Sequence, residues 1–254
     1  MNISIAAEPV IKIGELVVTN SLIVAMVAMA VLTTASMWLT RSLKSVPGRV
    51  QAMTEVVIEF LLNMITGVTG DKAQTRQFFP LIATIFFFVL TVNWLGLLPG
   101  VGTVGLWSQH HGETVLVPLF RSTAADLNFT IVLGVISVIA AQVVGIGALG
   151  FAKYSKKFVD VGALVRHPLK QALPTAIGLL ELVLEVMKVI SFAFRLFGNV
   201  FAGEVLLTII MFLVPYLVPM PFLVLELFVG LIQAVVFSML TLVFMKMATI
   251  EAHH

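Results

Sequence analysis

"SFAFRLFGNVFAGEVLL", residues 191–207, sets Arg195 among phenylalanines and leucines in a stretch otherwise apolar enough to be a membrane helix. Three and four residues away stand Phe192, Ser191, Gly198 and Asn199, so no carboxylate on a neighbouring helical turn neutralises the guanidinium. A cation held midway through a bilayer costs from about 3 kcal/mol on insertion scales to about 10 or more in simulation. Its counter-charge is expected on another helix or on another chain.

The rest of the sequence supplies the membrane. The 254 residues are 59% hydrophobic and only 11% charged, with a mean hydropathy of +1.09, too apolar for a soluble domain with a polar surface. A formal charge of +2 does not suggest a nucleic acid partner. Without cysteine there is no disulfide framework, Cys-type zinc site or thiol nucleophile. "MNISIAAEPVIKIGE" at the start lacks a basic segment before an apolar core, so the first apolar span is expected to be a retained helix, not a cleaved signal.

Uncharged runs of about 20 residues locate spans. They occur at 16–40, 78–98 and 127–152, and two further apolar runs, 175–213 and 219–245, carry Glu181, Glu185, Lys188, Arg195, Glu204 and Glu226. The expected fold is all-α: a polytopic membrane protein with five long membrane helices. A sixth, amphipathic helix is expected on the cytoplasmic surface, where Met53, Val56, Val57, Phe60, Leu61 and Met64 fall at helical spacing opposite Gln51, Glu55, Glu59 and Asn63. That acidic polar face argues against simple attraction to anionic lipid, leaving packing on the bundle or a soluble partner. No soluble domain or repeat is visible, so 1–254 reads as one membrane domain. Its parts are the outer N-terminus and first helix (1–40), a cytoplasmic amphipathic segment (41–77), the second and third membrane helices with their loops (78–170), and a charged hairpin (171–254).

Lysine and arginine set the orientation. Arg41, Lys44, Arg49, Lys72 and Arg76 follow the first span; Lys153, Lys156, Lys157, Arg166 and Lys170 follow the third; the loop between holds only Arg121, and "VPYLVPMP" between the last two holds none. The N-terminus is therefore expected outside and the C-terminus in the cytoplasm.

The hairpin has its own geometry. As one helix, 175–213 would be about 58 Å long against a hydrocarbon thickness of about 30 Å, so it must be steeply tilted or broken. A turn centred on Pro215 puts Glu204 and Glu226 at one depth, each eleven residues away, and sets Arg195 level with Gln233. Nine residues at about 100° each place Glu204 on the opposite side of its helix from Arg195, whereas Glu226 and Gln233, seven apart, share a face. Two carboxylates at one depth without a nearby base are expected to share a proton or be wetted; two permanently neutral acids in one hydrogen bond are the plainer alternative. Lys188 has Glu185 three residues before it, a spacing that also fits a local ion pair. Gly198 and Ala202, and Gly230, Ala234 and Ser238, repeat at four, the spacing that lets membrane helices touch.

These residues carry a resemblance. "RLFGNVFAGE" with "GLIQAVVFSMLTLVFMKMA" closely resembles the C-terminal hairpin of subunit a, the membrane stator of F-type ATP synthases, and "WLGLLPG" (94–100) and "TAADLNFT" (123–130) resemble its earlier segments. The likeness covers most of the chain from Arg41 onward. It implies that Arg195 faces a rotor ring of subunit c, whose carboxylates are the missing counter-charges, with Gln233 beside it and Asn199 nearby. It implies that Glu204 and Glu226 line an outer half-channel, with Asp126 and Asn128 near the outer mouth; an Asp before a helix is equally an N-cap. Glu181, Glu185 and Lys188 are loose candidates for an inner half-channel or its cytoplasmic entrance. It further implies the peripheral-stalk subunit b, the rest of the synthase and membrane lipid as partners, a bacterial inner membrane as location, no cofactor or metal, and ATP chemistry in other chains. A secondary transporter or independent ion channel is the rival reading, though no internal repeat supports it. A zinc protease is not, since the histidine pairs at 110–111 and 253–254 do not form H-E-x-x-H.

Overall fold

A computed structural model of the chain describes residues 9–13, 16–98, 105–110, 113–118, 121–156, 168–215 and 217–250. Pro99, Gly100, His111, Lys157, Arg166, Tyr216, His253 and His254, used in the sequence reading, lie outside the described residues. Among those described, the helices are α1 (Asn20–Arg41), α2 (Arg49–Thr69), α3 (Lys72–Gly96), α4 (Leu127–Leu149), α5 (Phe151–Lys156), α6 (Pro168–Leu213) and α7 (Pro219–Ala248). Two short antiparallel hairpins add to the all-α bundle: β1 (Pro9–Ile13) with β2 (Leu16–Thr19), and β3 (Gly105–His110) with β4 (Glu113–Pro118).

Caps explain where the helices depart from the apolar runs. Thr19 is extended and its side chain accepts from the Leu22 amide, so α1 starts at Asn20 and residues 16–19, rich in β-branched side chains, pair as a strand. Asp71 accepts from the amides of Ala73 and Gln74 and begins α3 six residues ahead of the expected span. Gly70 (φ 69°) and Gly150 (φ 81°) occupy the left-handed region after α2 and α4. The expected single helix over 127–152 is therefore two, α4 and α5.

Six helices, α1 to α4, α6 and α7, are long and apolar enough to cross a membrane. α2 has the lowest mean hydropathy, 1.4, against 2.0 to 2.4 for the others. Its expected apolar face is divided: Leu61 is buried against the bundle with Ile65, while Met53, Val56 and Phe60 stay exposed.

The most extensive contacts join α3 to α7 and α4 to α6, with α4 also against α7. Small residues set the approach. A Cβ on Gly134 would stand 3.0 Å from the Val189 carbonyl, and one on Gly145 would stand 2.9 Å from that of Ala248. Phe192 of α6 meets Phe237 of α7 at 4.6 Å between ring centres. These contacts make α4 and α7 parallel neighbours, with α6 antiparallel to both. α6 is unbroken over 46 residues, about 69 Å at 1.5 Å per residue. Of the two expected alternatives, a broken helix is excluded.

Candidate functional site

α6 has few inward positions, among them Phe192, Ala193 and Leu196, at 2%, 0% and 1% exposure. Burying these turns Arg195 to the outer surface of the bundle, where it is exposed. Among the described residues no carboxylate lies within ion-pair distance of it. Ser191, Gly198 and Ala202 are exposed on the same flank, and nothing lies within 4 Å of where a Gly198 Cβ would stand. Gly230, Ala234 and Ser238 do the opposite and are buried in the bundle, Gly230 against Asn93 of α3. One small-residue stripe is filled by this chain and the other is open.

The hairpin keeps the register expected from its turn. Phe192 meets Phe237, a Cβ on Gly203 would stand inside contact distance of the Glu226 carboxylate, and Lys188 Nζ lies 4.7 Å from the centre of the Phe244 ring. Glu204 and Glu226 are thus brought to one level, with the Glu226 carboxylate in the gap left by Gly203. Glu204 is on the other side of α6 from Arg195: its Oε2 is buried while the guanidinium is exposed.

Two regions flank Arg195. Toward the N-terminal end of α6, Leu184, Met187, Lys188, Ser191 and Phe192 of α6 with Leu240 and Phe244 of α7 form a groove of about 320 Å³ that reaches Arg195. Lys188 Nζ donates to Glu185 Oε1 at 2.5 Å, the local ion pair the spacing allowed. Glu181 stands one turn further in and is half-exposed.

Toward the C-terminal end of α6 lies a set of buried polar atoms. Asn199 Nδ2, Glu204 Oε2, Gln233 Nε2, Asn93 Oδ1 and Ser122 Oγ are buried without a hydrogen-bond partner. Three of them are contiguous: Ser122 packs on Gly96, Asn93 is one turn from Gly96 and donates to the Gly230 carbonyl at 3.2 Å, and Gln233 is the next turn of α7. Each such atom costs about 1–3 kcal/mol if left dry, so the five buried atoms mark places for water. Arg121, 7% exposed, lies within electrostatic reach of Glu204.

Asp126 is engaged structurally. Oδ1 accepts from the Asn128 amide as the α4 N-cap, and Oδ2 accepts from Ser21 Oγ at 2.6 Å, tying α1 to α4. Asn128 is exposed at the start of α4. Sequence reasoning missed Asn93, Ser122 and the buried position of Arg121. Asn93 was the findable one, a lone amide in "FFFVLTVNWLG".

Long apolar helices enclosing buried, unpartnered polar atoms, beside an exposed surface cation, define a polytopic integral membrane protein with polar groups inside its bundle. Comparison with known proteins narrows the class. Residues 21–246 match the family model described as ATP synthase A chain. An "ATP synthase subunit a" of Campylobacter jejuni is 33% identical over 233 residues, covering 91% of this chain and 89% of that one. Proteins of the same name from Trichlorobacter lovleyi (32% identical; 92% and 89% covered) and Geotalea uraniireducens (34% identical; 88% and 85% covered) are similarly alike. The chain belongs to the ATP synthase A chain family.

Proposed function

We propose that this chain is the proton-conducting stator subunit of a rotary F-type ATP synthase, itself without catalytic chemistry, and that Arg195 meets the carboxylates of a rotating c-ring. The observation that carries the reading is the open flank of α6: a guanidinium with no acid beside it among the described residues, next to Gly198 and Ala202, where a foreign helix can come close.

The steps follow from charge. A proton enters by the outer seam through Glu226 and Glu204, with Gln233, Asn199 and water beside them, and neutralises a ring carboxylate. The neutral acid turns into lipid without the cost of a bare charge. After nearly a full revolution it reaches the inner groove, and its proton leaves past Glu181, Glu185 and Lys188. Arg195 favours the ionised carboxylate as it passes, promoting release and barring direct leakage between the two half-channels. Asp126 and Asn128 border the outer mouth, Asp126 chiefly as a cap.

The same reading makes 1–254 one membrane domain with five spans. α2 lies on the cytoplasmic surface, where its exposed Met53, Val56 and Phe60 are available to lipid or to subunit b. The N-terminus is outside and the C-terminus in the cytoplasm of a bacterial inner membrane. The test is reconstitution with and without the c-ring. Proton conduction that requires the ring supports the reading; solute uptake by this chain alone overturns it in favour of a transporter.

A further inference from the structure

Among the described side chains of the short helix α5, Tyr154 is the one buried against the bundle. Gly150, at φ 81°, ends α4 and turns the chain, and α5 packs beside α4. Tyr154 is 4% exposed. Its ring edge fits against Gly145, where a Cβ would stand 2.5 Å from Tyr154 Cε2. Its hydroxyl donates to Gln142 Oε1.

Gln142 is level with the inner acids. α4 and α6 run antiparallel, and Gly134 meets Val189. Eight residues inward from Gly134 along α4 is Gln142; eight residues inward from Val189 along α6 is Glu181, with Glu185 one turn outward. Glu185 and Glu181 both act electrostatically on the Tyr154 hydroxyl. Glu185 is in turn held by Lys188, which lines the groove to Arg195.

We propose that Tyr154 is a positioning residue for proton release on the inner side: fixed by Gln142 and the Gly145 notch, its hydroxyl oxygen presents a standing hydrogen-bond acceptor to Glu181 and Glu185, beside the groove that Lys188 lines. This rests on the inner route proposed above and adds to it a residue from an element that none of its acids belongs to. Burial first, then Glu185 and Glu181, push the phenol up to about 12. It therefore stays protonated wherever the motor works and does not itself carry the proton. The charged groups around it are Glu181, Glu185 and Lys188 on α6 and Lys153 on α5; α4 has none from Leu127 to Leu149.

The test uses the whole synthase in lipid vesicles, with ATP-driven proton pumping read by a pH-sensitive dye and assembly checked on native gels. Tyr154→Phe keeps the ring in the Gly145 notch and loses only the hydroxyl. It should assemble normally and pump about two- to twelvefold more slowly, the range of one neutral hydrogen bond. Gln142→Leu should reproduce that loss, and Tyr154→Phe combined with Glu185→Gln should be no slower than Glu185→Gln alone, since the hydroxyl acts through that acid. Wild-type pumping by Tyr154→Phe while Glu185→Gln is slow would overturn the inference and leave a purely packing role, as would losses that multiply in the double variant. Normal pumping by both Glu181→Gln and Glu185→Gln would remove the inner route, and this inference with it.

Discussion

Arg195 and Glu204 lie nine residues apart on one helix and live in different surroundings, one on an open flank and one in a closed seam. On the proposed mechanism, Arg195→Ala abolishes ATP synthesis; a variant that retains full ATP-driven pumping takes Arg195 out of the mechanism. Glu204→Gln with Glu226→Gln should slow proton entry, and unchanged flux in reconstituted vesicles counts against the outer route. A methyl at Gly203 has no room beside the Glu226 carboxylate, so Gly203→Ala should displace that acid and lower flux while assembly stays normal. The opposition of Arg195 and Glu204 was legible in the sequence because helical phase is a fixed angle. Asn93 and Ser122 were not, because their place in the seam depends on α3 and the turn before α4 meeting α7, which no local pattern encodes.

At the level of elements, the sequence located five long helices by hydrophobic length and α2 by amphipathic spacing; the structure shifted their ends and divided the run 127–152 into α4 and α5. Those shifts come from single capping groups: Thr19, Asp71 and Gly150 each override the apolar pattern where a backbone amide needs an acceptor or the chain needs a positive φ. α5 shows what periodicity cannot reveal, since six residues hold too little pattern to show which side chain docks. Its docking should be alkali-sensitive. The folded Tyr154 phenol ionises near 12 against an ordinary 10.0, so the stabilisation it lends is complete below about pH 10 and is lost as pH rises through about 12. A spectrophotometric titration should show one late tyrosine step of the two tyrosines, absent from Tyr154→Phe; a single step near 10 in the wild type would contradict the docked geometry.

For the whole molecule, the close approaches form one frame: Gly134 of α4 against α6, Gly145 of α4 against α7, and Phe192 of α6 against Phe237 of α7. Phe237 is fully buried, and truncating it to Ala should cost about 3–5 kcal/mol, measurable as a lower unfolding midpoint in mixed micelles. The sequence hinted at close helix contacts only through the small residues spaced at four on α6 and α7, and that spacing does not say which stripe is filled from within and which from outside; Gly134 and Gly145, eleven apart, carry no such pattern. The filled stripe is on α7 and the vacant one on α6. The length of α6 carries a mechanical consequence. On the proposed mechanism, an unbroken helix of about 69 Å laid obliquely over a rotating drum would touch it along a short arc, so Arg195 would work as a turnstile that admits one ring acid at a time. The gearing of such a motor, protons per revolution, would then be fixed by the number of teeth on the drum and owe nothing to this chain.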